Sequence, residues 1–241
     1  MKSVSFVIPF YNESESIEET VAVVLNILKK VTDDFELILV NDGSSDDSLP
    51  KLLKTFSKEE SIQVISHAKN KGLGAAIRTG FDAAQKDIVI YSDMDMPFDF
   101  NLLPDLLNNM SQDVDILRGI RSTERENIIR KIYSLGFKIF IFTLFGYSVS
   151  DPNFALKIFK RDKLKSLNLN CDGSFIDAEI LLEARNSGYK IATVNIEYKH
   201  RQHGVSHLAN FKNIFRILKE ALYYKFNSLN KKVYQNHVRS E

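Results

Sequence analysis

The stretch "DIVIYSDMDMP" (residues 87–97) sets the reading of the chain. An apolar, β-branched run leads straight into two aspartates, Asp93 and Asp95, one residue apart. A short, nearly continuous apolar run reads as a strand buried on both faces, as in a parallel sheet. Carboxylates at the end of such a strand are costly to bury unless something pairs with them. If the strand continues, alternation puts both side chains on the same side, where they repel each other. Hard divalent ions such as Mg²⁺ and Mn²⁺ prefer oxygen ligands and often link a carboxylate to a substrate diphosphate.

Working outward, the first half alternates apolar runs with amphipathic segments. Strands are expected at 3–10, 35–42, 62–68, 87–93 and 114–120, and helices at 14–30, 46–57, 73–85 and near 100–110. In 14–30, Ile17, Val21, Val24, Leu25 and Leu28 follow helical spacing, with Ser14 or Ser16 as a cap. Strands alternating with helices imply right-handed βαβ units and a mostly parallel sheet flanked by helices, an α/β fold. Ligands of such sheets sit beyond the carboxyl ends of the strands. The loops to watch are therefore Pro9–Glu13, Asn41–Asp46, Ala68–Gly74 and Asp93–Asp99.

The second half is less regular. A helix is expected over 124–145, a strand over 153–161, a helix over 174–187 and a strand over 190–200. From 208 onward, Phe211, Phe215, Leu218, Leu222, Phe226 and Leu229 fall near one face of an amphipathic helix. This divides the chain into a main domain, 1–208, and a basic C-terminal helix and tail, 209–241.

Composition is that of a soluble globular chain: 44% hydrophobic and 26% charged over 241 residues. The single cysteine, Cys171, excludes an internal disulfide and fits a reducing compartment. "MKSVSFVIPFYNE" is too short an apolar run for a signal peptide and reads as a first strand. The longest greasy stretch, 135–147, contains a lysine and falls short of the ~20 apolar residues that span a bilayer. Formal charge is −10 over residues 1–117 and +11 over 118–241, so the second half is suited to anionic partners. No recognised motif supports nucleic acid as that partner.

"GLGAAI" (72–77) lacks the third glycine of a dinucleotide fingerprint and follows the third strand instead of the first. Gly72 and Gly74 read as loop and helix-start residues. Tyr11 and Glu13 fall just beyond the first strand, and Asp42 ends the second, beside a turn at Gly43. Asp46 reads as a helix N-cap. Arg118, Arg121, Arg125, Arg130 and Lys131 cluster after the fifth strand, with Arg125 and Lys131 on a solvated helix face. Arginine suits bidentate phosphate contacts. His200, His203 and His207 form no convincing zinc pattern, because Gly204 and the preceding strand argue against a helix there.

Seven segments occur in a telling order: "VIPFYNE", "NDGSSDDS", "NKGLGAAIRTGFDAA", "DIVIYSDMD", "SDPNFALKIFKR", "AEILLEARNSGYKI" and "HRQHGVS". Over roughly residues 3–208 the chain resembles family 2 glycosyltransferases with a GT-A (nucleotide-diphospho-sugar transferase) fold. More narrowly it resembles dolichyl-phosphate mannosyltransferases and bacterial polyprenyl-phosphate glycosyltransferases. The resemblance implies that Pro9, Tyr11, Glu13 and Asp42 line a nucleotide pocket and that Asp93 and Asp95 hold Mg²⁺ or Mn²⁺. Arg121, Arg130 and Ser134 would hold an acceptor phosphate, and Arg201 would face the donor diphosphate. Pro97 stands where close relatives often have a third metal ligand, leaving water or Asp99 to complete the shell. His207 stands where they usually have lysine.

The implied partners are a GDP- or UDP-sugar, a polyprenyl phosphate and the cytoplasmic face of a membrane, with a membrane anchor protein as a further candidate. The implied chemistry is metal-dependent, inverting sugar transfer. A lipid phosphate is already an anion and needs no general base, whereas a glycan hydroxyl usually does. Asp177 in "SFIDAE" is the candidate base for that second reading, and otherwise a helix-start residue near the site. A third reading is a nucleotide-sugar-binding protein with impaired turnover.

Overall fold

The computed structural model describes residues 2–122, 128–146, 151–198 and 215–226, with residues 128–134 described as backbone. Seven strands form one sheet: β1 (Val4–Phe10), β2 (Phe35–Asn41), β3 (Ile62–Ser66), β4 (Ile88–Ser92), β5 (Ile116–Arg121), β6 (Leu156–Lys160) and β7 (Ile191–Ile196). Their order is β3-β2-β1-β4-β6-β5-β7. Strands β1 to β4 are parallel, β5 pairs parallel with β7, and β6 runs antiparallel between β4 and β5. The mostly parallel α/β expectation holds, with one antiparallel strand whose direction no local residue pattern encodes.

Every residue of β1 and β4 is buried, as two-faced strands require. The alternation divides them cleanly. Phe6, Ile8, Leu37, Leu39 and Ile90 pack on one face beneath α1 (Ile17–Val31), while Val7, Ile38, Val40, Val89 and Tyr91 pack on the other beneath α3 (Leu73–Ala83). Helix α1 buries Ile17, Val21, Val24, Leu25 and Leu28, the stripe its spacing predicts. Glu18 and Glu19 in its first turn and Lys29 and Lys30 in its last complement the helix dipole. Ser16 occupies the N-cap position, but its hydroxyl bonds back to Glu13 instead of capping.

Several boundaries differ from expectation. β4 stops at Ser92, so Asp93 and Asp95 lie on a turn and not on a continuing strand. The helix expected near 100–110 divides into a 3-10 turn, Phe100–Leu102, and α4, Leu103–Asn108, where Pro104 starts the α-helix. Helix α2 is Ser48–Thr55, α5 Ile128–Phe145 and α7 Ile176–Asn186. The expected strand 153–161 is only Leu156–Lys160, and Arg161–Ser166 turns into a short helix, α6, not foreseen from the sequence.

The C-terminal segment is helical over residues 215–226 (α8). Its buried side chains are Ala221 and Tyr224, which join the core beneath α3, and Tyr224 meets Phe145 of α5. Of the expected apolar stripe, Phe215 (72%), Leu222 and Phe226 (65%) are exposed and Leu218 is half-buried. On α5, Leu135, Ile139 and Phe142 are likewise exposed, while Ile141 is buried. Among the described residues no helix is long and apolar enough to cross a membrane.

In the order β3-β2-β1-β4 the chain steps outward from β1 in one direction and then returns to its other side. That reversal places the crevice of a doubly wound sheet between the carboxyl ends of β1 and β4. The neighbouring β2 end depends on Gly43, at φ 71°, where a Cβ would stand 2.4 Å from the Lys69 carbonyl carbon. Gly43→Ala is expected to lower the free energy of unfolding by more than about 1 kcal/mol. Gly136→Ala, in the exposed middle of α5 with nothing near its Cβ position, should raise it by ~0.5–1 kcal/mol. Urea unfolding of both variants checks the pair.

Candidate active site

The loops after β1 and β2 are clasped together. Asn12, in the left-handed region at φ 56°, donates its amide to Ser44 Oγ (3.0 Å) and accepts from the Ser45 amide at Oδ1 (2.9 Å). The Glu13 amide donates to Ser48 Oγ (2.8 Å), and the Ser14 amide donates to Asp46 Oδ2 (3.1 Å). Asp46 also accepts from the Ser48 amide at the start of α2. It therefore does the capping, one residue before the formal N-cap, Asp47, which makes no side-chain cap bond. Burial works against its charge, but the hydrogen bonds from Ser48 and Ser14 hold its carboxyl below the usual range. Tyr11 is 46% exposed at this rim, and the Glu13 carboxylate accepts from Ser16 Oγ (2.9 Å). Pro9 lies buried inside β1, opposite Val40.

Asp42, at the end of β2, is buried and engaged. Its Oδ1 accepts from the Lys71 amide (2.9 Å) and faces His67 Nδ1 (2.8 Å), and its Oδ2 accepts from the Gly72 amide (2.9 Å). His67 Nε2 faces Thr79 Oγ1 (2.9 Å), whose proton is donated to the Ala75 carbonyl. Asp42 thus braces the loop entering α3. Neither His67 nor this bracing was foreseen from the sequence; a lone histidine ending a strand carries no spacing signal.

Asp93 and Asp95 stand at the carboxyl end of β4, beside the β1 end. Between them Met94 is buried, and its carbonyl accepts from Thr20 Oγ1 of α1 (2.8 Å), which pins the turn. Tyr91 OH donates to Asp93 Oδ1 (3.1 Å). Burial, together with the charges of Asp95 and Asp177, pushes the Asp93 carboxyl up to about 7. The part of this rise that comes from the neighbouring carboxylates is uncompensated negative charge, which a divalent cation would relieve. Asp99 does not join the pair: its Oδ1 accepts from Asn101 and caps the 3-10 turn. Among the described residues no group of three or more potential ligands assembles. The donor set is therefore two carboxylates, which fits Mg²⁺ or Mn²⁺ that takes its remaining oxygens from substrate phosphate and water.

Asp177, in the first turn of α7, is buried, and its Oδ1 accepts from Lys157 Nζ at 2.5 Å. Burial raises its proton affinity and Lys157 opposes the rise. Lys157, on β6, also donates to the carbonyls of Pro152 (3.1 Å) and Phe154 (3.2 Å) and lies 5.5 Å from the Tyr91 ring centroid. A lysine in the apolar run "FALKIF" was the available signal for such a buried pair, since buried lysines are almost always partnered.

Arg121 ends β5 against Asp151, which accepts from its amide at Oδ2 (3.3 Å) and lies 3.5 Å from its Nε. The guanidinium carbon lies 4.1 Å from the Tyr198 ring centroid and 6.0 Å from that of Phe154. The structure thus brings Asp93, Asp95 and Asp177 together, with Arg121 held by the neighbouring 151–154 turn. The side chains of Arg130 and Ser134, and all of Arg201 and His207, lie outside the described residues.

Known proteins match this chain in sequence and in fold. The model of glycosyl transferase family 2 matches residues 5–167. An undecaprenyl-phosphate 4-deoxy-4-formamido-L-arabinose transferase of Pectobacterium atrosepticum is 30% identical over 215 residues, which cover 89% of this chain and 65% of that protein. A dolichyl-phosphate beta-glucosyltransferase of Trichomonas vaginalis is 27% identical, covering 93% of this chain and 74% of its own. The chain thus spans under two thirds of the length of the bacterial relative. Glucosyl-3-phosphoglycerate synthase of Mycobacterium tuberculosis, solved with Mn²⁺, UDP-glucose and phosphoglyceric acid, superposes with a TM-score of 0.71 at 19% identity. That superposition covers 93% of this chain and 80% of the synthase. Strand order, the paired aspartates at the β4 end and these matches converge: the chain belongs to glycosyl transferase family 2 and has its GT-A fold.

Proposed function

We propose that the chain catalyses metal-dependent, inverting transfer of a sugar from a nucleoside-diphosphate sugar to a polyprenyl phosphate at a membrane's cytoplasmic face. The observation that carries this reading over a glycan hydroxyl acceptor is the commitment of Asp177 to Lys157 at 2.5 Å. A hydroxyl nucleophile needs a general base within reach, whereas a phosphate monoester arrives already ionised. The names of the polyprenyl-phosphate relatives support the same acceptor.

In this reading Tyr11 and Glu13 line the nucleotide pocket at the clasped rim, with Pro9 behind them in β1. Asp42 shapes the pocket by bracing the loop before α3, and Arg201 faces the diphosphate. Asp93 and Asp95 would hold the cation, which when bound would supply Lewis-acid neutralisation of the charge on the leaving diphosphate. Arg121, with Arg130 and Ser134, fixes the acceptor phosphate. A phosphate oxygen attacks the anomeric carbon from the face opposite the diphosphate. The new carbon–oxygen bond forms as the bond to the diphosphate breaks, so the configuration inverts and no proton moves.

The exposed apolar faces of α5 and α8, interspersed with Lys138, Lys219 and Lys225, suit the surface of an anionic bilayer.

Labelled UDP- and GDP-sugars incubated with Mn²⁺ and polyprenyl phosphate in detergent should yield a lipid-linked sugar phosphate, reduced at least ~10²-fold in Asp95→Ala. Absence of product across donors overturns the acceptor assignment, and transfer to a glycan instead restores Asp177 as base. Nucleotide binding with no turnover on any acceptor returns the impaired-binder reading.

A second expectation concerns pH. Because the folded-state pKa of Asp93 is raised to about 7 from the ordinary 3.8, its contribution to stability is fullest below pH ~4 and is lost as pH rises through about 7. A cation offsets this only when the carboxylate is ionised. Mn²⁺ should therefore raise the melting temperature more at pH 8 than at pH 5.5. Asp93→Asn should remove that difference while leaving the metal-free protein at least as stable at pH 8. Differential scanning fluorimetry reads both.

A further inference from the structure

Lys157 is used by no step above, yet it is the most thoroughly engaged cation among the described residues. It is only 1% exposed, and its three ammonium protons meet three acceptors: Asp177 Oδ1 and the carbonyls of Pro152 and Phe154. Those carbonyls belong to the turn that carries Asp151, a non-glycine residue held at φ 40°. The Asp151 carboxylate accepts from the Arg121 amide and forms an ion pair with its guanidinium (3.5 Å to Nε), whose faces meet the rings of Tyr198 and Phe154. A continuous set of contacts therefore runs from the N-terminus of α7, through Lys157 on β6, into the 151–154 turn and on to Arg121.

We propose that Lys157 is a positioning residue for acceptor recognition: by tying the 151–154 turn to Asp177, it fixes the guanidinium of Arg121 where the acceptor phosphate binds. This rests on the reading of Arg121 as an acceptor-phosphate ligand. The geometry supplies the reason. Left-handed backbone at an aspartate is unfavourable and persists when its surroundings over-determine it. Two carbonyls drawn onto a buried ammonium provide that determination. With the ammonium removed, the turn loses both tethers, and Arg121 loses the fixed carboxylate that aims it. Misplacement of a binding group by ~1 Å can cost ~10²-fold in rate.

The test uses the full chain and three variants. Lys157→Met alone leaves the Asp177 carboxylate buried without its partner, so Lys157→Met/Asp177→Leu is made beside it, since a buried pair replaced by apolar residues is often tolerated. Asp151→Asn breaks the same set of contacts at its other end, nearer the surface. Each is assayed for KM of polyprenyl phosphate, KM of the donor sugar nucleotide and kcat, with cooperative thermal unfolding as the fold criterion. The folded variants are expected to raise the acceptor KM about tenfold or more while the donor KM stays within about twofold. Combined with Arg121→Ala, they should add little further loss, because both changes remove one interaction. A general packing role would instead raise both KM values, or add fully to Arg121→Ala.

An unchanged acceptor KM in any folded variant, or full additivity, overturns the role of Lys157 while leaving the polyprenyl-phosphate reading intact. A wild-type protein that makes no lipid-linked product overturns that reading directly, and this inference with it. If the double variant does not fold, Asp151→Asn decides.

Discussion

Among the described residues, one buried ammonium offsets part of the negative charge gathered at the carboxyl edge of the sheet. Asp93, Asp95 and Asp177 converge there, Asp177 buried and the other two half-buried, and mutual repulsion would drive such a cluster apart. Lys157 lies beneath them, on the one strand that runs against the others, with its protons on Asp177 and two carbonyls. An antiparallel strand in this position brings its lysine up from the opposite direction. It also presents that charge to α7 and to the 151–154 turn at the same time. The cost of desolvating the pair is offset by this full set of hydrogen bonds, without which a buried ion pair destabilises.

The β1–β2 side of the crevice is organised differently, by backbone amides. Asn12, Ser44, Ser45, Asp46 and Ser48 exchange hydrogen bonds across the β1 and β2 loops, and Asp42 accepts two amides from the loop entering α3. These small polar residues were visible in the sequence as turn formers, and their positions after strands one and two were legible from hydrophobic period alone. Their pairing was not legible, because it joins residues more than thirty positions apart. Asp42 shows the difference well. Its place at a strand end was readable, while its partnership with His67 and the Lys71 and Gly72 amides depends on the tertiary approach that Gly43 permits.

The same contrast runs through the fold. The first four strands announced themselves as short apolar runs and the first helix by its stripe, with β1 and β4 alone buried along their whole length. The second half did not, for physical reasons. β6 is five residues long and looks the same whether it runs with or against its neighbours. α6 is six residues, too short for a periodic signal. On α8 the periodicity was legible but not the side that meets the core: Ala221 and Tyr224 face it, while Phe215, Leu222 and Phe226 face out. Helical spacing identifies an apolar face without saying what covers it. Asp99 was misplaced for a related reason, since a carboxylate two residues past a proline serves equally as a ligand or a turn cap.

The insertion of β6 between β4 and β5 also governs how the chain can be assembled. Strands β1 to β4 are complete by Ser92, but one edge of β4 has no partner until Leu156–Lys160 arrives more than sixty residues later. At synthesis rates of roughly 5–20 residues per second, that edge stays open for several seconds on the ribosome. An open, mostly apolar strand edge is a template for pairing with another chain. The closing step is therefore a long-range one, the kind that sets slow folding. Residues that speed the docking of β6 would then govern the yield of folded protein as much as its final stability.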